Sequence, residues 1–255
     1  MGSYASSNRF ERLSATLSSA SRACRRRFRA PSGDATLSSV DSAEGERWKP
    51  RLRGVSHELA FYSTIPLGIA LGLAASGPQA RAAAAVFAGS VVAMFGASAL
   101  YHRFSWSPDT RLWLRRLDHA GIFGLIAGTY TPFGLLILRG TWQVAILAVV
   151  WGGAMIAIIA KMAWVGAPKW LSAAAGIALG WVAIVVTPQI LDHAGGTATA
   201  LVMVGGVCYT IGALVYARRR PDPFPHVFGY HEIFHALVIA AVALQYSAVA
   251  LVVTG

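Results

Sequence analysis

The fold is decided by an apolar stretch at residues 230–253, which reads YHEIFHALVIAAVALQYSAVALVV. Its only charged residue, Glu232, lies near its start. A helix that crosses a bilayer needs about 20 predominantly apolar residues, and this stretch has that length and composition. It also contains His231 and His235, which are four residues apart and therefore project from one face of the predicted helix.

Six further apolar stretches precede it, and short breaks rich in Gly, Pro, Arg or Lys separate them. The seven predicted spans are 57–76, 82–102, 118–138, 142–161, 171–190, 197–217 and 230–253. The longest break is 103–117, and another is predicted at 192–196. The sequence therefore predicts an all-α integral membrane protein with seven transmembrane helices.

The composition agrees with a membrane protein and excludes other classes. The chain has 255 residues, of which 55% are hydrophobic and 13% are charged, whereas a soluble domain has about 25% charged residues. A disordered protein and a soluble nucleic-acid-binding protein are excluded despite the formal net charge of +11, so we expect no nucleic-acid partner. Two cysteines, Cys24 and Cys208, provide no disulfide framework.

The distribution of charge predicts domains and orientation. Residues 1–54 carry 11 Lys/Arg against 5 Asp/Glu and are predicted to be a basic, unstructured cytoplasmic tail, whereas 55–255 form the membrane domain. Cytoplasmic loops of membrane proteins are enriched in Lys and Arg. With the N-terminus inside, the inner loops hold Arg103, Arg111, Arg115, Arg116, Lys161, Lys169, Arg218, Arg219 and Arg220, and the outer loops hold only Arg81 and Arg139. This predicts a cytoplasmic N-terminus and an external C-terminus.

Ionisable side chains at the inner ends of three spans form the candidate site. Ser98 and His102 share one face of the second span, Asp118 begins the third, and His231 and His235 begin the seventh. Ionisable groups at membrane depth are usually functional. Three imidazoles leave a fourth position of a tetrahedral site open, which is typical of catalytic zinc, although iron and copper are also compatible with imidazole ligands. The alternative is an interfacial helix start, where the paired histidines meet headgroups and water.

Neighbouring polar residues receive more modest interpretations. His57 and Glu58 are interpreted as the interfacial start of the first span. Glu232 is one residue from a candidate ligand, so it points about 100° away and is predicted to cap the helix or support the site. His119 is predicted to face a neighbouring helix or the interface.

The same residues resemble the signature of a known family. The pattern of Ser98-x-x-x-His102, an Asp118 that begins the next span, and His231-x-x-x-His235 in the last span resembles that of the haemolysin III family. That family belongs with the progestin and adipoQ receptors and, more distantly, with the alkaline ceramidases. The flanking segments KPRLRGVSH at 49–57 and FGYHE at 228–232 also resemble those of the haemolysin III family. The resemblance covers about residues 49–253.

The resemblance implies a cofactor, a substrate class and a location. It implies that His102, His231 and His235 bind Zn²⁺, that Asp118 holds a zinc-bound water, and that Ser98 belongs to the catalytic group. The wider group resembles intramembrane hydrolases of lipid amides such as ceramide, so a membrane lipid is the expected substrate or ligand. Bacterial members are named for haemolytic activity, which implies the plasma membrane of a bacterium.

Three functions follow from these observations. The first is a zinc-dependent hydrolase of a lipid amide or ester, in which Ser98 either donates to a developing oxyanion or steadies Asp118. The second is a pore-forming cytolysin. The third is a receptor-like membrane protein in which zinc only stabilises the helices.

Overall fold

The computed structural model describes residues 50–255, so the predicted tail at 1–54 lies almost wholly outside the described residues. Residues 50–255 form seven α-helices and no β-strand, which confirms the all-α prediction. The helices are α1 (Val55–Ala74), α2 (Pro78–Arg103), α3 (Pro108–Leu136), α4 (Thr141–Ala163), α5 (Lys169–Gly180), α6 (Thr187–Arg218) and α7 (Tyr230–Thr254). A 3₁₀ segment, Trp181–Val186, joins α5 to α6.

Four helical stretches within the described residues are long and apolar enough to cross a membrane. They are Pro78–Arg103, Thr141–Ala163, Lys169–Arg218 and Tyr230–Thr254, and the third of them comprises α5, the 3₁₀ segment and α6. These lengths and compositions support a membrane protein that crosses the bilayer more than once.

The predicted break at 103–117 is wrong for most of its length, because α3 begins at Pro108. Ser107 is the N-cap, and its Oγ accepts a hydrogen bond from the Thr110 amide at 3.4 Å. Pro108 fits the first turn of a helix, where its missing N–H removes no bond, and Asp109 favours the positive end of the helix dipole. The polar turns of α3 precede its apolar part, so hydropathy alone does not detect them.

The predicted break at 192–196 is a kink rather than a loop. The helical path of α6 is interrupted at Gly195, whose φ is 81° and ψ is 170°, a conformation that glycine adopts readily. Asp192 and His193, which the sequence places in an outer loop, lie in the helix before this kink.

The last helix closes the bundle. Helix α7 packs on α6, its neighbour in the chain, and also contacts α1, α2 and α3. The segment before α1 runs beside the loop before α7, because the Arg51 amide donates to the His226 carbonyl at 3.1 Å and the Leu52 amide donates to the Val227 carbonyl at 3.3 Å. The beginning of α1 and the beginning of α7 therefore meet at one end of the bundle.

Candidate metal centre

Three imidazoles meet at this end of the bundle. Ring nitrogens of His102, His231 and His235 all lie within 4.8 Å of one another, and the two Nε2 atoms of His102 and His231 are 3.1 Å apart. His231 is 8% exposed and His235 is 2% exposed. The interpretation of the histidine pair as an interfacial helix start is therefore wrong, since both side chains point into the protein.

The geometry of the three imidazoles fits a metal ion. In a tetrahedral zinc site with Zn–N distances of about 2.0–2.1 Å, the ligand nitrogens lie about 3.4 Å apart, which is close to the spacing found between His102 and His231. The Nδ1 atom of His235 is buried and has no hydrogen-bond partner among the described residues. Buried imidazoles normally have partners, and a cation between the three rings would be a common partner for the nitrogens that face one another. Nitrogen ligands are compatible with zinc, iron and copper.

Asp118 and Ser98 lie beside the imidazoles, and both line the cavity described below. The Asp118 Oδ2 atom is 3.6 Å from the His102 Nε2 atom. The Ser98 Oγ atom is 2.8 Å from the His57 Nδ1 atom, so Ser98 and His57 share a hydrogen bond. The sequence had placed Ser98 near Asp118 but left its partner open.

His57 belongs to the site, and its interpretation as an interfacial start is wrong. Its side chain is 2% exposed, and its ring stacks on His235 with 3.7 Å between centroids and 8° between planes. Its neighbour Glu58 does lie at the surface, where it pairs with Arg103. The sequence did contain one indication of this role. His57 begins the first predicted span at the same end of the bundle as Ser98, His102 and Asp118.

Gly54 fixes the distance between α1 and the first histidine ligand candidate. Its φ of +80° is in the left-handed region, and a Cβ at this position would lie 2.6 Å from the Cβ of His102. Only glycine combines this backbone conformation with such a close approach at low cost. The glycine therefore lets the chain turn into α1 directly against His102.

Replacing Gly54 with alanine is expected to displace His102. We expect the metal affinity of Gly54→Ala to fall about 10- to 100-fold, as for other changes that misorient a metal ligand. Titration of the purified protein with Zn²⁺ measures this. Gly72→Ala is the matched control, because Gly72 lies in α1 and a Cβ there would meet nothing within 4 Å. Equal affinities in the two variants would contradict this role of Gly54.

Glu232 caps α7, as predicted, and anchors it to the segment before α1. Its Oε2 atom accepts a hydrogen bond from the Gly229 amide at 2.8 Å, and its Oε1 atom pairs with the Arg53 guanidinium. The Glu232 side chain is 3% exposed and that of Arg53 is 21% exposed. This partly buried ion pair holds the start of α7, and therefore His231 and His235, next to the start of α1.

Removing Arg53 is expected to destabilise the protein strongly. In Arg53→Met the Glu232 carboxylate stays buried without its cation. This lowers the free energy of unfolding by about 3–5 kcal/mol and the melting temperature by about 10 °C. Arg103→Met is the control, because the pair with Glu58 is exposed and such pairs contribute about 0–1 kcal/mol. Thermal melts monitored by tryptophan fluorescence compare them. A drop of the same size in both variants would contradict the anchoring role.

A cavity of about 170 Å³ extends from the candidate centre into the bundle. At one end it is lined by His57, Ser98, Asp118, His231 and His235. From there it follows α3 as far as Phe133, a rise of about 22 Å at 1.5 Å per residue, and most of its wall is apolar. His119, predicted to face a neighbouring helix or the interface, lines the same cavity.

Lys161 is a cavity residue that the sequence analysis placed in a loop. It was counted among the loop charges, but it lies in the last turn of α4, is 6% exposed and lines the cavity. Nothing in its sequence context distinguishes it from a loop lysine, because it is the last residue of the predicted span 142–161 and the predicted break 162–170 follows it directly.

Comparison with known proteins identifies the family of the chain. The family model described as "Haemolysin-III related" matches residues 46–246. The chain is 31% identical over 195 residues to "Hemolysin-3" of Bacillus cereus, which covers 75% of this chain and 86% of the relative. It is 30% identical over 161 residues to "Hemolysin-3 homolog" of Bacillus subtilis (strain 168), which covers 63% of this chain and 72% of the relative. The matched region contains all three clustered histidines together with Ser98 and Asp118, and the chain belongs to the haemolysin-III related family.

Proposed function

We propose that the protein is a zinc-dependent intramembrane hydrolase of a lipid amide or ester. The observation that carries this proposal is the position of the three clustered imidazoles, with a carboxylate beside them, at the polar end of a long apolar cavity. A polar reaction centre joined to an apolar cavity is the arrangement that a lipid substrate requires, because its reactive bond lies between a headgroup and a hydrocarbon chain.

In this proposal His102, His231 and His235 hold the zinc ion. Bound zinc supplies a Lewis acid that polarises a carbonyl and lowers the pKa of a water molecule to about 7. The three side chains come from α2 and α7, and their burial keeps competing ligands away from the centre.

Asp118 is the proposed proton acceptor and donor. During hydrolysis its carboxylate takes the proton from the attacking water and returns it to the leaving amine or alcohol. The hydrogen bond between His57 and Ser98 holds the Ser98 side chain in place. In this proposal Ser98 either steadies Asp118 or donates to the developing oxyanion.

The apolar part of the cavity is the proposed place of the acyl chain. Each methylene group transferred from water to an apolar environment gains about 0.8 kcal/mol, but a chain that leaves the bilayer core gains little from this term. Specific packing against the cavity wall is therefore what holds it. Lys161, which lines the same cavity, places a positive charge where an anionic headgroup or a carboxylate product can lie.

The seven helices are proposed to be seven transmembrane spans in the plasma membrane of a bacterium, with the N-terminus in the cytoplasm. Each of the seven helices overlaps one of the seven apolar stretches, although α5 has only 12 residues and continues into the 3₁₀ segment. The charge of the inner loops supports this orientation. The relatives from two Bacillus species support a bacterial source. On this topology the metal centre lies at the cytoplasmic side.

Two other functions have support of their own. The relative from Bacillus cereus is called a hemolysin, which favours a pore-forming cytolysin. The deep burial of the three histidines also suits a receptor-like protein in which zinc is structural, because structural sites stabilise folds directly.

Three assays on the purified protein separate the three functions. Purified protein in lipid nanodiscs is incubated with a panel of lipid amides and esters, and released fatty acids are measured by mass spectrometry. The hydrolase is expected to release fatty acid from at least one class. Leakage of intact liposomes that survives loss of all three histidines would favour the pore, and a zinc-dependent melting temperature without product on any lipid would favour structural zinc.

A further inference from the structure

One buried cation among residues 50–255 has no partner. Lys161, in the last turn of α4, is 6% exposed, and no hydrogen bond or ion pair joins its ammonium group to another described residue. A lysine that only marks the inner side of a membrane extends its charge into water. A buried charge without a counter-charge is costly, so the burial of Lys161 favours an anion as its partner.

The ammonium group of Lys161 is open to the cavity. Several side-chain polar atoms of the described residues are both enclosed and unpaired, but none of them belongs to Lys161. An unpaired ammonium group that is not enclosed borders open space, and the space that Lys161 lines is the cavity. Asp118 lines the same cavity, but its carboxylate lies against His102, at 3.6 Å between Oδ2 and Nε2. The charge of Lys161 is therefore available to a bound ligand.

The packing of α3 against α4 places Lys161 at the polar end of the cavity. The connection 137–140 is short, so the two helices are antiparallel neighbours, and Trp151 on α4 donates to the Thr131 Oγ1 atom on α3 at 3.2 Å. Lys161 lies ten residues beyond Trp151, so it is level with the position ten residues before Thr131. That position is three residues from Asp118, a rise of about 4.5 Å.

We propose that Lys161 binds the phosphate group of a lipid headgroup, and that the lipid held in the cavity is a phospholipid rather than a neutral lipid. This inference rests on the proposed function, which places the reactive carbonyl at the metal centre and the acyl chain in the cavity. The lysine then selects the substrate by its headgroup and takes no part in the chemical step.

The dimensions of a phospholipid fit this placement. In a phosphoglyceride the phosphorus atom is about six bonds from an acyl carbonyl, which is about 7 Å at the spacing of an extended chain. The axes of packed helices are about 8–10 Å apart, so a lysine on α4 is within reach of a phosphate whose carbonyl lies beside Asp118 on α3. The carboxylate of a fatty acid product fits less well, because it forms at the metal centre and only an acyl chain extends from it.

Binding of two lipids that differ only in a phosphate group tests the inference. Dissociation constants of 1-lauroylglycerol and 1-lauroylglycerol 3-phosphate are measured on the full chain in detergent by native mass spectrometry. The ester and the acyl chain are the same in both lipids, so only the charge of the headgroup differs. We expect the phosphate to bind about tenfold more tightly, as for a hydrogen bond between charged groups.

Three variants locate the preference. Lys161→Met is expected to bind the two lipids equally, whereas Lys161→Arg keeps the cation and is expected to keep the preference. Methionine replaces an unpaired buried charge with an apolar chain of similar length, so the melting temperature is expected to stay the same or to rise. Arg218→Met is the control for surface charge and is expected to keep the preference, because Arg218 is exposed in the last turn of α6.

The outcomes distinguish this inference from the proposed function. Measurable and equal binding of both lipids to the unaltered protein would overturn the role of Lys161 alone. A preference that survives in Lys161→Met would do the same, because the metal centre or surface cations would then hold the phosphate. If neither lipid binds, the role of Lys161 and the placement of an acyl chain in the cavity are both overturned. The assay needs no turnover, so a failure to find a hydrolysed lipid leaves its result unaffected.

Discussion

Protein purified without chelators is expected to contain about one zinc per chain, because three imidazoles with mutually close nitrogens form a site for a single ion. In His102→Ala and in the double variant His231→Ala/His235→Ala the metal is expected to be lost. Each change removes ligands from a different helix, so loss in both requires one site that α2 and α7 share. Elemental mass spectrometry measures zinc, iron and copper in the same sample.

His193→Ala is the matched control for this measurement. His193 is exposed on α6, and its Nδ1 atom lies 3.0 Å from the Gln189 carbonyl oxygen, so its loss is expected to leave the metal content unchanged. Little metal in the unaltered protein would contradict the site. Retention of metal in either ligand variant would show that the histidines are not its ligands, and iron or copper in place of zinc would change the chemistry that is available.

Asp118→Asn is expected to abolish most turnover on any lipid that the unaltered protein hydrolyses, while the zinc content stays the same. The amide has nearly the same shape as the carboxylate but does not accept a proton at neutral pH. General acid–base groups contribute about 10²- to 10⁴-fold to rates, so kcat is expected to fall by about that factor. Product release and metal content are measured on the same preparation.

Asp192→Asn provides the comparison, since Asp192 is an exposed residue of α6 on the far side of the kink from the metal centre. It is expected to keep full activity. If Asp118→Asn keeps its activity with zinc bound, Asp118 is not the proton carrier. If it loses zinc as well, the carboxylate contributes to metal binding, and its role in proton transfer is not supported.

The sequence predicted the helices and the His231–His235 pair because both depend on local patterns, whereas His102 was added from its membrane depth and from the family resemblance. Hydropathy locates helices that the bilayer requires to be apolar, and the spacing of His231 and His235 places them on one face of any helix. Asp118 and Ser98 followed from the inner ends of their spans and from the family resemblance. These residues do lie together at one end of the bundle.

His57 and Lys161 were not predicted as site residues because their positions depend on packing between distant helices. Whether a histidine at the start of a span meets water or a neighbouring ring is decided by the contact of α1 with α7, and no local pattern contains that contact. Lys161 was missed for the same kind of reason, because only the position of the cavity distinguishes it from a lysine in a loop. The start of α3 was missed for a different reason, because its first turns are polar and are defined by the Ser107 cap.

The division of the histidine ligands between α2 and α7 also sets an order of events during synthesis. A ribosome that has made the chain only as far as α6 has produced His102, but neither His231 nor His235 exists. A single imidazole does not hold a zinc ion firmly, so in the proposed zinc site the ion would be captured only after α7 has packed against α1, α2 and α3. Because metal binding of this kind contributes to folding free energy, chains that end before α7 would lack that contribution.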